Sequence, residues 1–490
     1  MTIPDNNDKG WNFDNSYARL PEKLYSRVAP APATQPQTVV FNETLAFEMG
    51  FKYRSADKTE IAETFSGNAL PEGSEPLAQA YAGHQFGYFT MLGDGRALVI
   101  GEHITPQNER FDIQLKGSGR TPYSRSGDGR ATLYAMLREY LISEAMHNLN
   151  IPSSRSLAVV GTGENVYREE VHAGAVLTRV LPSHIRVGTF EYVKNFLSKD
   201  DLREFTDYTI GRHYPEIKNS ENPPLELLKA VMVKQIDLIV NWMRVGFIHG
   251  VMNTDNMSIG GETFDYGPCA FMNAYDPNTV FSSIDTGGRY AFGNQPRMAY
   301  WNLTRFADAL LPLIHSETTD AIKLAEDALN SFPALYEKKW LWMMGGKTGF
   351  KNPSDPEKKL IIELIQWMQQ NNADYTNTFL VLQSDIPSPS DLYSQDIFTE
   401  WYSKWKTQIS ENGNTMEDAV QLMRANNPAF IPRNHLVEKA LVSASHGNGF
   451  SDFHQLLEIL NTPYQSNAQY CSFQAPPEDG DINYKTFCGT

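Results

Sequence analysis

The sequence predicts an α+β fold in two lobes, with an N-terminal extension before them and a mostly helical region after them. Three observations predict it. Between residues 97 and 180, short segments of strand-like apolar pattern flank one helical segment at 131–148. A long helical segment with legible caps spans 222–246 and ends on a polar loop. Beyond Trp301 the apolar spacing is mostly helical. The 490 residues suit about two or three domains of ordinary size. With 41% hydrophobic and 12% aromatic residues, the chain can build a sizeable core.

The elements follow in order. Residues 1–75 form the extension, an arm rich in Pro and Asn with the run Ala29-Pro-Ala-Pro-Ala-Thr-Gln-Pro36, ending in a helix near 43–49. The first lobe, 76–200, opens with strands at 97–101 and 111–116. In the second of these, Phe111, Ile113 and Leu115 alternate with Asp112, Gln114 and Lys116, the pattern of a half-buried strand. Leu133, Met136, Leu137, Tyr140 and Leu141 make the apolar stripe of the helix at 131–148, and strands follow at 156–160 and 175–180. The second lobe, 201–320, contains the long helix. Asn222 suits its cap, Pro223 its first turn and Gly246 its end, and Leu228, Met232, Ile236, Ile239, Val240 and Met243 supply a buried face. Two short strands are expected at 257–259 and 263–264 around Gly260-Gly261. The last region, 321–490, is helical apart from loops at 347–358 and 385–391 and an irregular tail after Asn461.

Composition excludes several classes. A formal charge of −16 argues against a nucleic-acid partner, which needs a basic stripe. No apolar run approaches the roughly 18 residues of a membrane span. The start, Met1-Thr-Ile-Pro-Asp-Asn-Asn-Asp, has neither the apolar core of a secretory signal nor the arginines of a transit peptide, so a cytoplasmic location is expected. Cys269, Cys471 and Cys488 form no disulfide framework and have no metal-ligand spacing.

The chemistry concentrates in Phe247-Ile-His-Gly-Val-Met-Asn-Thr-Asp-Asn256, which runs on to Asp265-Tyr-Gly267. A protein kinase writes its catalytic loop as H-R-D-x-x-x-x-N and its metal-binding turn as D-F-G. His249 precedes Asn256 by the seven positions of that pattern, while Gly250 and Val251 replace the Arg and the catalytic Asp. The fold expectation is therefore a protein-kinase-like bilobal one. Asn256 and Asp265 offer oxygen ligands suited to Mg²⁺, with Mn²⁺ as the alternative metal. Asp255 is the candidate proton acceptor; a second metal-positioning acid or a plain turn residue are the competing readings.

Lys116 ends a strand and Glu139 lies on the next helix, the order of the kinase Lys–Glu pair; Glu144 is a rival that points elsewhere around the helix. Gly93-Asp-Gly-Arg96 lets backbone approach a phosphate, with Arg96 as a fork, or is a simple hairpin turn. Ser126-Gly-Asp-Gly-Arg130 reads as a flap, with Arg120, Arg125 and Arg130 nearby. Arg179 and Arg186 are either surface residues or the completion of a triphosphate pocket.

Together, Tyr81-Ala-Gly-His-Gln-Phe-Gly87, Leu92-Gly-Asp-Gly-Arg96, the block from Gln114 to Arg130, His249-Gly-Val-Met-Asn-Thr-Asp-Asn256 and Asp265-Tyr-Gly-Pro268 resemble the selenoprotein O family, kinase-like proteins that transfer AMP rather than phosphate. The resemblance covers most of 75–310. It implies a protein adenylyltransferase that moves AMP from ATP to Ser, Thr or Tyr hydroxyls of proteins and releases pyrophosphate. It also implies ATP turned so that its γ-phosphate is buried. Lys116, Arg96, Arg179 and Arg186 then hold the phosphates, Gly93, Gly95, Asp128 and Gly129 line the nucleotide, Asn256 and Asp265 hold the metal, and Asp255 takes the proton. Cys488 fits the family's C-terminal selenocysteine or cysteine position, and a Cys269–Cys488 disulfide would make activity redox-dependent. Expected partners are ATP and protein substrates, with no nucleic acid and no membrane. Two other functions stay open at this point: an atypical kinase using Asp255, and a nucleotide-binding pseudokinase scaffold.

Overall fold

One antiparallel sheet organises the first half of the chain. The computed structural model describes residues 9–384, 391–447, 449–478, 480–481 and 484–487. The sheet comprises β1 (Tyr25–Arg27), β2 (Gln37–Phe41), β3 (Leu77–Gln79), β6 (Ala97–Ile104), β7 (Arg110–Lys116), β8 (Ala131–Thr132), β9 (Arg155–Tyr167) and β10 (Val171–Leu181). Its order is β1-β3-β6-β7-β10-β9-β2, with β8 beside β10. A separate hairpin, β4 (Ala82–Gln85) and β5 (Tyr88–Met91), stands apart from it. Helices and sheet together make the chain α+β.

The alternation in β7 divides the sheet's two faces. Ile113 and Leu115 enter a back core with Ile100, Val176 and Val180. Asp112, Gln114 and Lys116 turn to the front, and the register places Lys116 opposite Leu177 and Ala97, and Gln114 opposite Arg179. The back core is covered by α1 (Glu43–Glu48) and α2 (Lys58–Ser66) through Leu45, Ile61, Ala62 and Phe65. The N-terminal segment is thus woven into the sheet by β1 and β2 and forms its rear layer. Only α1 had been legible; α2 has just Ile61, Ala62 and Phe65 as large or small apolar signal.

The front face carries α3 (Leu133–Asn148), whose N-terminus is capped by the Thr132 hydroxyl accepting from Ala135 N at 3.3 Å. After α4 (Val187–Phe196) and α5 (Lys199–His213) comes α6 (Pro223–Val245). Its ends form as its residues dictate. Asn222 Oδ1 accepts from Leu225 N at 3.3 Å, and Gly246 adopts φ 74°. The chain then passes through β11 (Phe247–Ile248), which pairs with β12 (Ala270–Phe271), so that the whole segment 249–269 is a closed loop.

The strands expected at 257–259 and 263–264 do not pair with each other. Met257 O accepts from Val187 N at 2.9 Å and Ile259 N donates to Ile185 O at 3.0 Å, while Thr263 exchanges bonds with Pro152 and Ser154 at 2.9 and 2.8 Å. Both flanks are claimed by segments of the first half, a long-range competition that local pattern does not show.

The rest is helical: α7 (Gln295–Ile314), α8 (Thr318–Leu329), α9 (Phe332–Thr348), α10 (Asp355–Gln370), α11 (Tyr375–Val381), α12 (Asp396–Glu411), α13 (Met416–Asn426), α14 (Asn434–Ser445) and α15 (Ser451–Leu460). The loop expected at 347–358 is confined to the turn between α9 and α10, and the one at 385–391 lies, up to residue 390, outside the described residues. Helices α14 and α15 pack on α3. Among the described residues, no helix is long and apolar enough to cross a membrane.

Candidate functional site

Residues from β6, β7, β10, the segment 117–130, which contains the expected flap Ser126–Arg130, and the loop 249–269 line one cleft of about 700 Å³, a size that suits a nucleotide. Seven arginine and lysine side chains line it against four carboxylates. In a chain of charge −16 this local cationic excess marks a site for an anion.

Four predicted residues meet directly at its buried end. Lys116 Nζ donates to Glu139 Oε2 at 2.7 Å and to Asp265 Oδ1 at 2.6 Å. Arg179 Nε donates to Glu139 Oε1 at 2.8 Å, Arg179 Nη2 to Asp265 Oδ1 at 2.7 Å and Arg179 Nη1 to Gln114 Oε1 at 3.1 Å. The rival Glu144 is engaged elsewhere: it accepts from Arg155 at 2.9 and 2.8 Å. Burial would raise the Asp265 carboxyl, but Lys116, Arg179 and Arg186 hold it well below the usual carboxylate range. Asp265 also takes φ 64°, a left-handed backbone that Asp tolerates better than most residues and that turns its carboxylate into the cleft.

Arg186 closes another side. Its Nη1 donates to the Asp255 carbonyl at 3.1 Å, its guanidinium lies 4.0 Å from the Tyr81 ring centre, and Asp94 Oδ1 is 3.6 Å from its Nη2. Asp255 itself is buried on the turn Thr254–Asn256, and its Oδ1 has no hydrogen-bond partner among the described residues. Burial pushes its carboxyl up to about 6, against the opposing pull of Arg186. Asn256 Nδ2 donates to Val251 O at 3.1 Å, and its carbonyl oxygen takes no part in that bond. His249, at the head of this loop, is buried and structural: its Nε2 meets Phe264 O at 3.2 Å and its Nδ1 accepts from Val251 N at 3.4 Å, tying the loop to the Asp265 turn.

Gly93, Gly95, Arg96, Asp128 and Gly129 also line the cleft. The glycines have a second reason to be glycine. A Cβ on Gly93 (φ 135°) would lie 2.3 Å from Tyr123 Cγ, and one on Gly95 would lie 3.0 Å from Tyr123 O, so the flap rests on this loop. Asp128 holds Arg168 at 2.8 and 3.0 Å and caps Arg130 N at 2.9 Å. The Arg168 hydrogen bonds lower its carboxyl.

Sequence reasoning missed Gln114, Tyr81, Asp94 and Arg168 as lining residues. Gln114 was findable, since it shares a strand face with Lys116 two positions on. Arg168 sits in the turn between β9 and β10 and carries no local signal.

Cys269 lies outside the lining, buried, and burial pushes its thiol up to about 11. Its carbonyl accepts from Arg138 Nη2 at 2.5 Å. Cys488 lies outside the described residues. The tail just before it returns to the site: Thr486 N donates to Phe281 O at 2.8 Å, Thr486 Oγ1 donates to Pro268 O at 2.8 Å, and Phe487 lines the cleft.

Comparison with known proteins agrees with this chemistry. The family model described as "Protein adenylyltransferase SelO" matches residues 9–461. The chain is 54% identical over 489 residues to "Protein nucleotidyltransferase YdiU" of Nitrosococcus oceani, covering 100% of this chain and 99% of that one. It is 53% identical to the protein of the same name in Syntrophotalea carbinolica, with 98% of each chain covered. The Brevibacillus brevis protein of that name is 54% identical, over 99% of this chain and 98% of its own.

Proposed function

This chain belongs to the protein adenylyltransferase SelO family, and we propose that it transfers AMP from ATP with a kinase-like, two-lobed site whose nucleotide is held with its β- and γ-phosphates at the buried end of the cleft. ATP is its substrate and AMP transfer to proteins its reaction. The observation that carries the orientation is the pairing of two buried cations, Lys116 and Arg179, on the same two carboxylates, Glu139 and Asp265. Kinase logic needs one such cation there; the second concentrates positive charge where a pyrophosphate leaving group develops its own negative charge.

In the proposed step, a Ser, Thr or Tyr hydroxyl oxygen of the acceptor protein attacks the α-phosphorus. The bond from that phosphorus to the α–β bridging oxygen breaks, pyrophosphate leaves, and the hydroxyl proton passes to the Asp255 carboxylate. Arg96 and Arg186 add to the phosphate grip, and the flap, resting on Gly93 and Gly95, closes over the nucleotide. Val251 stands where a kinase keeps its catalytic Asp, which fits a site that does not serve an outward γ-phosphate.

The donor set fits Mg²⁺. Asn256 and Asp265, which both line the cleft, would supply hard oxygens to it. Phosphate oxygens and water would complete the shell. When bound, the ion would neutralise phosphate charge and fix the nucleotide's position.

The test uses two ATP analogues with the full chain. β,γ-Methylene-ATP keeps the scissile α–β bond and should support AMP transfer, whereas α,β-methylene-ATP should bind and not react. Transfer that fails with the β,γ-analogue and succeeds with the α,β-analogue would place the reacting phosphorus at γ and overturn the orientation.

A further inference from the structure

Beside the cleft mouth, the β4–β5 hairpin and the start of α7 carry features that nucleotide binding and AMP transfer chemistry leave unused. The hairpin turns through Phe86 and Gly87, with φ 51° and 92°. Positive φ at both central residues is what a tight two-residue turn requires, yet a bulky Phe there is costly. Phe86 is held in place on the catalytic loop side: its N–H donates to Asn253 Oδ1 at 3.1 Å, the Tyr290 hydroxyl donates to the same oxygen at 2.6 Å, and the two rings lie 5.2 Å apart. The hairpin then presents Tyr88, Phe89 and Met91 to solvent. Phe89 stacks on the exposed Phe196 at 6.1 Å.

Next to these aromatics stand three arginines. Arg289 and Arg305 lie 4.7 and 5.6 Å from the Trp301 ring centre, and Arg297 precedes Trp301 by one helical turn on the same face of α7. Among the described residues, none of the three forms an ion pair. The nearby acids have other partners, although Glu191 keeps one oxygen with none among the described residues. Asp285 accepts from the backbone N–H groups of Arg289 and Tyr290 at 2.9 and 2.7 Å, Asp308 pairs with Lys194 at 3.0 Å, and Glu191 is bound to His84. The Nε atoms of Arg289 and Arg305 are buried with no partner. Arginines outside any ion pair beside exposed aromatics, in a chain of charge −16, form a surface whose complement is acidic and aromatic.

We infer that the β4–β5 hairpin, Arg289 and the Arg297–Arg305 face of α7 are the docking surface for the acceptor protein, and that they select acceptor hydroxyls flanked by acidic residues. The surface is continuous with the site. Phe86 and Gln85 line the cleft with Asp255, and His84 N donates to Thr254 Oγ1 at 2.7 Å, so a segment laid along the hairpin leads to the proton acceptor. The inference rests on AMP transfer to proteins and adds the chemistry that chooses among them.

The experiment takes the full-length protein with Mg²⁺ and α-labelled ATP. Its probes are two random copolymers matched in length and tyrosine content, one of Glu and Tyr and one of Lys and Tyr. Binding is followed by fluorescence anisotropy and transfer by label incorporation. The Glu–Tyr copolymer should bind and be labelled about tenfold better than the Lys–Tyr copolymer. Combining Arg289→Gln, Arg297→Gln and Arg305→Gln should raise KM for the Glu–Tyr copolymer by about tenfold while KM for ATP stays put. The single exposed change Arg297→Glu, which threatens no core, should shift preference toward Lys–Tyr. Equal binding of the two copolymers, binding of neither, or variants that leave Glu–Tyr binding unchanged would overturn the inference. Charge-selective binding without α-label would instead uphold the docking surface and count against transfer to tyrosine.

Discussion

Asp255 carries its carboxylate into the cleft with one oxygen that no donor reaches among the described residues, and burial pushes it up to about 6. A proton acceptor works only when deprotonated, so activity should be full above that pH and fall as pH drops through about 6. We expect kcat to show a single-proton acid limb there. Asp255→Asn should remove the limb and lower the rate by about 10²- to 10⁴-fold; a limb that persists in this variant belongs to another group. The same residue makes Gly83 sensitive. A Cβ there would lie 2.6 Å from Asp255 Oδ1 and 3.1 Å from Thr254 Oγ1. Gly83→Ala should cut kcat by up to about a hundredfold, the effect of a misplaced catalytic group, with ATP binding retained. Gly211→Ala is the matched control: among the described residues, nothing beyond its own helix backbone would lie within 4 Å of an added Cβ, and the change should stabilise α5 by about 0.5–1 kcal/mol. Thermal melts and initial rates on both variants separate the two cases. Gly83 shows why part of the site was invisible in the sequence. Asp255, Lys116, Glu139 and Asp265 announce themselves by type and spacing, whereas the need for glycine at 83 exists only because residue 255 folds against it.

At the scale of elements, the reading succeeded where an element's ends are written into its own residues. Asn222, Pro223 and Gly246 bound α6, and the alternation of 111–116 sets which face of β7 holds Lys116. It failed at 257–264, where the partners of each flank come from residues 152–154 and 185–187. Helix α3 depends on similarly distant partners. It carries Glu139 to Lys116, and on its outer side Tyr134 donates to Glu438 Oε2 at 2.7 Å while the Tyr140 and Phe453 rings lie 6.4 Å apart. Helices α14 and α15 therefore fix where Glu139 sits. Phe453 is fully buried, and Phe453→Ala should cost about 3–5 kcal/mol through the cavity it leaves. The transfer rate should fall at temperatures where the far-ultraviolet spectrum is still native, because a loosened α3 separates Glu139 from Lys116 before the fold is lost. Loss of activity that tracks global unfolding alone would reduce these helices to ballast.

The whole molecule closes a sheet that could not stand on its own. The front of the sheet faces the cleft and α3, and its back exposes Ile100, Ile113, Leu115, Val176 and Val180 unless something covers them. That cover is α1 and α2, with Phe65 at 0% exposure in its centre. A segment whose sequence reads as a polar, proline-rich arm is in place a layer of the core, and β1 and β2 pair with β3 and β9. Pattern alone could not show this, because the partners of the arm's apolar residues lie far along the chain. The energetics make the arm decisive. Each large apolar side chain buried is worth about 1.5–3 kcal/mol, and a whole domain is stable by only about 5–15 kcal/mol. Removing residues 1–68 strips the cover and both edge strands, β1 and β2, while leaving every cleft residue in the chain. We expect the truncated protein to be recovered aggregated, since its bare sheet back and unpaired β3 and β9 edges invite association. Phe65→Ala in the full chain should lower the melting temperature while leaving KM for ATP unchanged, because its contacts lie on the face opposite Lys116. A soluble truncation that melts cooperatively and still transfers α-label would show that the front half of the sheet holds itself together, and that the arm serves something other than the core.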